Sequence, residues 1–238
     1  MITLVHLYPR ELGINGDVGN VTALRVRAGW RGMPLEVIDV GAGDALPSTA
    51  HLVHIGSGPA SARQPLHADI ARHAKKLRSW ADAGVPFLAI AAGWQLLGRE
   101  VTELDGSVSA GAGVLPSTAR VSPERVVGEV AGETELGEVA GFVNFGADDA
   151  RDAGVAPFAR LASGAEDGLI AGGLIGTNLH GPLLPMNPVW ADRLLDLAAE
   201  LAGVTGHEPD ARRAEVDDYA RRSRDAIRAR LGLPALPR

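Results

Sequence analysis

The chain of 238 residues contains no cysteine. This absence excludes disulfide bonds, metal sites built from thiolates and catalysis by a cysteine nucleophile. An excess of basic residues is also missing, since the formal net charge is −6 and no basic run is interleaved with aromatic residues. The composition therefore argues against a nucleic-acid-binding surface.

Long apolar runs are absent as well. No stretch approaches the ~20 residues that a membrane-spanning helix needs, so we predict no membrane insertion. The first ten residues, MITLVHLYPR, lack the basic start and the long apolar core of a secretory signal. We therefore expect a cytoplasmic location. Apolar residues make up 46% of the chain and charged residues 22%, which is typical of a soluble globular protein.

Strands and helices alternate along the first part of the chain. Asn20 is placed to cap the first helix and Gly32 to end it. Such alternation is typical of right-handed βαβ units and predicts a mostly parallel sheet. Strands are predicted at 2–7, 35–40, 51–56 and 87–91, and helices at 21–31, at 60–83 and from 94 onward.

The pattern changes after Leu104, where short β-like runs are separated by glycine turns. These runs predict an antiparallel or mixed extension of the sheet, followed by a strand at 174–179 and a helix at 188–201. We predict one domain over 1–204 and a C-terminal segment over 205–238 that carries a charged helix. That helix is either a solvated surface helix, which we favour, or a docking element for a partner.

The stretch FLAIAAGWQLLG, from Phe87 to Gly98, runs from an apolar strand through small residues into a helix. Enzymes with a nucleophile elbow place their nucleophile at this kind of turn, where the helix N-terminus stabilises an anion. Ala91 occupies the tight position here and cannot attack a substrate. The alternative interpretation is an ordinary strand–turn–helix.

Three further stretches carry candidate site residues. His180 follows an apolar strand, where a histidine can act as a general base or merely end a loop. The segment HIGSGPAS includes Gly58 and fits either an oxyanion hole or a plain turn. The segment GDVGN is interpreted as a structural turn with a cap. No metal constellation is visible: we interpret His51, His54, Asp148 and Asp149 as structural or surface residues.

Taken together, the stretches LYPRELGINGDVGN, IGSG, PFLAIAAGWQLLG and GTNLHGPLLPMNP resemble GatD-like glutaminase subunits, within the CobB/CobQ-like class I glutamine amidotransferases. The resemblance covers about residues 1–201. It implies a flavodoxin-like three-layer α/β sandwich with an antiparallel extension. Such subunits hydrolyse glutamine and pass ammonia to a Mur-ligase-like (MurT-type) partner, which amidates a cell-wall precursor. It implies glutamine as a ligand and no cofactor.

The resemblance also implies roles for individual residues. The family's catalytic cysteine falls on Ala91 and its general base on His180. Gly58, Gly93, Gln95 and Arg125 fall in the substrate-binding segments. The family branch lacks the acid two residues after the histidine, where Pro182 stands here. We therefore expect the partner to supply the acid that orients His180.

The chain departs from the family at three places: Ala91, the segment GFVNF with Val143 and Phe145, and the loop Pro59–Arg63. A single cysteine-to-alanine exchange would fit an engineered trap, whereas three separate departures favour a natural pseudoenzyme. Two functions follow. The chain is either a GatD-like amidotransferase subunit that is inactive as a glutaminase, or a scaffold or regulatory module that no longer binds glutamine.

Overall fold

The computed structural model describes residues 1–180, 182–207 and 210–234. Six helices lie in these ranges: α1 Val18–Trp30, α2 Ala60–Asp82, α3 Ala92–Leu97, α4 Leu183–Met186, α5 Pro188–Ala202 and α6 Arg212–Arg230. The same ranges contain the strands β1 Ile2–Leu7, β2 Leu35–Val40, β3 Leu52–Ile55, β4 Phe87–Ile90, β5 Glu100–Thr102, β6 Val108–Ala110, β7 Ser117–Thr134, β8 Gly137–Arg151, β9 Ala159–Leu161, β10 Glu166–Asp167, β11 Leu169–Ala171, β12 Leu174–Thr177 and β13 Leu179–His180.

The central sheet has six strands in the order β11-β12-β4-β3-β1-β2. Its neighbours are parallel from β12 to β2, and β11 is antiparallel at one edge. The chain adds β2 on one side of β1 and then returns to add β3 on the other. This change of direction makes the carboxyl ends of β1 and β3 the switch point where open α/β sheets bind ligands.

Helices cover both faces of this sheet. Successive residues of β4 alternate between the two faces, as a pleated strand requires. Phe87 and Ala89 pack with α2 and α3, whereas Leu88 and Ile90 pack with α1 and α5. The predicted α/β class and three-layer sandwich are therefore confirmed. No helix among the described ranges is long and apolar enough to cross a membrane.

The antiparallel extension differs in detail from the prediction. Several short strands were expected, but β7 and β8 form one long hairpin that bends at a register shift between Val121 and Val126. Glycines inside the strands do not end them. Gly132, for example, packs against the backbone of β9, where an added Cβ would lie 2.3 Å from the carbonyl oxygen of Arg160. The close approach of two backbones requires glycine there.

The first helix also begins earlier than predicted. Helix α1 starts at Val18, so Asn20 lies within the helix and does not cap it. The buried Asn20 side chain instead accepts a hydrogen bond from the backbone N–H of Leu184 at 2.9 Å, through Oδ1. Because the Asn20 side-chain oxygen already accepts a hydrogen bond from this distant segment, it does not cap its own helix.

The C-terminal helix α6 packs on the extension and on α4. Ile227 lies in a small apolar cluster with Ala131 and Ala140. Many of its charged residues pair inside the chain, including Arg213 with Asp192 at 2.7 Å. Such pairs occur on surface helices and do not exclude docking of a partner, so both interpretations of α6 stay predictions. The boundary at 204/205 stays a prediction.

Candidate functional site

The turn between β4 and α3 has the backbone of a nucleophile elbow. Ala91 has φ 43° and ψ −104°, a backbone conformation that residues with a Cβ rarely adopt. Such strain persists only where surrounding contacts enforce it, and it clusters at functional sites. The Ala91 N–H donates to the carbonyl of Thr177 at 2.9 Å, which ties the elbow to β12.

Gly93 lets the elbow approach the loop after β3. A Cβ on Gly93 would lie 2.6 Å from the carbonyl oxygen of Gly56, so any larger residue would push the loop away. Its N–H also donates to that carbonyl at 3.1 Å. Gly93 thus holds α3 against the loop after β3.

His180 has an acidic partner within the chain. Its Nδ1 lies 3.2 Å from Oδ2 of Asp17, and neither side chain is accessible to solvent. The expectation that a partner protein must supply this acid is therefore wrong. A carboxylate at Nδ1 holds the ring in one orientation and leaves Nε2 with a free lone pair. Among the described residues, His180 Nε2 has no hydrogen-bond partner.

Asp17 comes from the segment GDVGN, which the sequence analysis interpreted as a turn with a cap. That interpretation missed the role of the acid. The available signal was an acidic residue in the loop after β1, at the carboxyl edge of the sheet where ligands bind.

Buried groups hold Asp17 in place. A Cβ on Gly56 would lie 3.0 Å from Asp17 Cβ, so the two loops are in contact. The ring of His54 lies with Nε2 3.3 Å from the Asp17 carbonyl and Nδ1 3.0 Å from that of Leu88. Burial, with His6 stacked beside it, lowers the pKa of His54 to about 4. His54 is thus a structural residue, as predicted, and it supports the loop that carries Asp17.

A small cavity opens beside the elbow, with a volume of about 70 Å³. It brings together four of the six candidates predicted from the sequence, and Gly93 and His180 are not among its lining residues. The four are Gly58, Ala91, Gln95 and Arg125, and the remaining lining residues are Ser57, Pro59, Ala60, Arg63, Ala92, Val121, Asn144, Phe145 and Gly146. Arg125 is exposed at the rim, and its guanidinium donates to Oδ1 of Asn144.

The three departures from the family have different structural settings. Phe145 lies in the cavity wall, whereas Val143 is buried and pairs with Leu179 in the sheet. The loop from Pro59 begins α2, and Arg63 is buried in an ion pair with Glu103 at 2.8 Å. All three departures therefore reach the cavity wall, through Ala91, Phe145 and the loop Pro59–Arg63, whereas Val143 does not line it.

A polar cluster of Asp149, Asp167 and Asn178 lies against the elbow. The Asn178 side chain donates to Asp149 at 3.2 Å, and its backbone N–H donates to Asp167 at 3.2 Å. Gln95, which lines the cavity, lies near enough to Asp149 to oppose part of the rise in its pKa. Burial raises the pKa of Asp149 to about 7 and also raises that of Asp167. The sequence analysis took Asp149 for a structural or surface residue and did not anticipate this perturbation.

Comparisons with known proteins agree with this geometry. A family model for CobB/CobQ-like glutamine amidotransferase domains matches residues 4–188. Subunit GatD of the lipid II isoglutaminyl synthase (glutamine-hydrolyzing) from Staphylococcus aureus is 28% identical over 210 residues, covering 85% of this chain and 86% of that protein. A cobyric acid synthase from Rhodococcus jostii is 32% identical over 178 residues, 70% of this chain and 32% of that protein.

Solved structures show the same fold. A glutamine amidotransferase crystal structure superposes with a TM-score of 0.57 at 18% identity, covering 82% of this chain and 98% of that one. A glutamine amidotransferase from Thermotoga maritima superposes with a TM-score of 0.55 at 14% identity, covering 97% and 94%. The family match spans most of the chain, and the elbow and the His180–Asp17 pair lie within it. The chain belongs to the CobB/CobQ-like glutamine amidotransferase family.

Proposed function

We propose that this chain is a GatD-like subunit of a two-component glutamine amidotransferase whose Mur-ligase-like (MurT-type) partner amidates a cell-wall precursor. The buried His180–Asp17 pair in a chain that also keeps the strained elbow at Ala91 carries the proposal. It is supported by the GatD relative, because the match covers most of both chains. The relative's name gives lipid II as the precursor, and we extend that assignment to this chain.

The site residues take the following roles in the proposal. Ala91 stands at the nucleophile position, His180 is the general base and Asp17 orients it. Gly58 and Ala92 offer backbone N–H groups for an oxyanion, as the residue after an elbow nucleophile does. Glutamine is bound by Gln95 and Arg125, together with the loops that Gly93 holds together.

With alanine at position 91, the chain does not hydrolyse glutamine by the covalent route. The methyl group of Ala91 cannot form a thioester, and the loss of a nucleophile costs a factor on the order of 10⁶ in rate. The proposed role of the subunit in this form is to bind and support its partner. A cytoplasmic location stays a prediction.

A second candidate, a scaffold that no longer binds glutamine, is favoured by the size of the cavity. A volume of about 70 Å³ holds roughly five water molecules at ~10–15 Å³ each. Phe145 and Pro59 both line this cavity, and in this candidate they leave too little room for glutamine. Calorimetric titration with glutamine separates the candidates, because a scaffold shows no saturable heat.

The decisive experiment is the substitution Ala91→Cys, assayed for glutamine hydrolysis with and without a MurT-type partner. Ala92→Cys is the matched control, since it introduces the same thiol one residue away from the elbow position. We expect hydrolysis from Ala91→Cys and none from Ala92→Cys. Equal rates from both variants would contradict the assigned site, whereas no hydrolysis from either variant with the partner bound would favour the scaffold.

A further inference from the structure

A groove of about 640 Å³ lies between helices α5 and α6. A cavity of about 280 Å³ adjoins it at the first turn of α5, and both are bordered by Leu136, Pro188, Val189 and Arg224. No residue of the elbow or of the His180–Asp17 pair lines either space. The groove is therefore a separate feature, and its volume lies in the range of small-molecule sites, roughly 300–1,000 Å³.

The groove is lined by four aspartates and four arginines, but they are not equally paired. All four carboxylates are held in ion pairs: Asp192 and Asp217 with Arg27 and Arg213, Asp196 with Arg31, and Asp218 with Arg221 and Arg222. Glu138 of the adjoining cavity pairs with Arg228 at 3.2 Å. The other two arginines of the wall, Arg193 and Arg224, form no ion pair within the described ranges. The groove therefore offers two guanidinium charges that no carboxylate of its wall holds.

Arg224 is the more buried of these two arginines. Its Nη1 donates to the carbonyl of Met186, whereas Nε is shielded from solvent and has no hydrogen-bond partner in the part of the chain that the structure describes. Burial lowers the pKa of Arg224, and nearby carboxylates, Glu138 foremost, offset only part of this effect. Arginine nevertheless stays charged at neutral pH. The edge formed by Nε and Nη2 is the one with which a guanidinium binds a phosphate or carboxylate through two parallel hydrogen bonds.

Helix α5 begins beside Arg224 and adds to the positive potential. Pro188 stands in its first turn, no acidic residue follows in that turn, and no side chain caps its N–H groups. The N-terminus of a helix carries a partial positive charge that favours anions. Arg193 follows Val189 by four residues and so lies on the same face of α5, one turn further along the groove.

We propose that this groove binds a small organic phosphate, with its phosphate group held by Arg193 and Arg224. A phosphate monoester carries a charge of about −1.5 to −2 at pH 7, which suits two guanidinium groups better than the single charge of a carboxylate. Leu136, Pro188 and Val189 provide an apolar floor for the organic part. The site goes beyond the proposed function, because none of these residues belongs to the glutamine site.

The test is calorimetric titration of the full chain with phenyl phosphate, inorganic phosphate and benzoate at one ionic strength, which equalises screening. We expect saturable binding of phenyl phosphate, at least tenfold tighter than that of benzoate, and a loss of affinity of at least tenfold in Arg224→Gln. Arg222→Gln is the matched control, because it removes the same charge from an exposed position of α6 outside the groove. We expect Arg222→Gln to retain the affinity.

The inorganic phosphate arm distinguishes two sources of the phosphate group. Weaker binding than phenyl phosphate supports an organic phosphate, whereas equal binding that Arg224→Gln weakens would assign the site to free phosphate. Benzoate binding as tightly as phenyl phosphate would overturn the proposal, and so would equal losses in Arg224→Gln and Arg222→Gln or the absence of saturable binding. If Arg224→Gln does not fold, the exposed Arg193→Gln replaces it, and an unchanged affinity in that variant would refute the site.

Discussion

The strain at Ala91 predicts that replacing this residue by glycine is far less costly than an alanine-to-glycine change elsewhere in the core. A residue with a Cβ at φ 43° and ψ −104° stores roughly 1–3 kcal/mol, whereas glycine adopts this region freely in tight turns. The substitution removes a buried methyl group, worth about 0.8 kcal/mol, and adds about 0.5–1 kcal/mol of backbone entropy cost. The Ala91→Gly change in the free energy of unfolding should therefore lie between about 1 kcal/mol of destabilisation and about 1.5 kcal/mol of stabilisation.

Ala198 is the matched control, because it is fully buried in the regular helix α5. There the same change relieves no strain and costs about 1 kcal/mol of helix propensity in addition to the lost methyl group. Urea unfolding of both variants should give Ala91→Gly the higher stability by about 1–3 kcal/mol, the strain itself. In a chain of this length each kcal/mol also shifts the melting temperature by roughly 2–4 °C. Equal losses in the two variants would refute a strained elbow.

Three further predictions follow from contacts of the site and of α1. The pKa of Asp149 is raised to about 7, so the folded state keeps a proton on this carboxyl that the unfolded chain releases above pH ~4. The free energy of unfolding should therefore fall as pH rises from ~4 to ~7. Asp149→Asn should remove this slope, so its stability relative to the unsubstituted chain should rise by up to about 1.4 kcal/mol per pH unit in urea unfolding across that window. Arg27→Ala should lower the free energy of unfolding by about 3 kcal/mol, because the buried guanidinium pairs with Asp192 at 2.6 Å and with Asp217 at 2.7 Å. Arg31→Ala breaks an exposed pair and should lower it by less than about 1 kcal/mol. Equal losses in the two variants would contradict the burial argument. In the Ala91→Cys background, Asp17→Asn should lower kcat for glutamine hydrolysis by roughly 10²–10⁴ with little change in KM, and an unchanged kcat would remove Asp17 from the site.

Local sequence patterns predicted the regular elements well. Apolar runs and glycine positions located β1 and β4 and the helices α2 and α5 to within a few residues, because these elements bury continuous apolar faces. The β7–β8 hairpin was predicted as several short strands, because a glycine within a strand can have either of two opposite structural effects. It can end the strand, or it can permit the close backbone contact found at Gly132.

The parts of the site that were missed depend on contacts between distant segments. Asp17 and His180 are 163 residues apart, and only the sheet order brings their loops together. Asp149 was missed for a related reason. It lies beside the exposed Asp148, and one residue of register decides which of the two faces inward. A sequence pattern cannot fix that register when the strand runs beyond its apolar part.

The elbow keeps its shape because backbone contacts determine it, not the side chain at position 91. The Ala91 N–H bonds Thr177 and the Gln95 N–H bonds the Ala91 carbonyl at 3.0 Å, while α3 is held to the glycine loop at Gly56. None of these contacts involves the Ala91 side chain, so the elbow conformation and the thiol chemistry are separable. Ala91→Gly measures the strain, and Ala91→Cys measures what the rest of the cavity can still do. If Ala91→Gly relieves the strain as predicted and Ala91→Cys remains inactive, the lost activity is assigned to the cavity wall at Phe145.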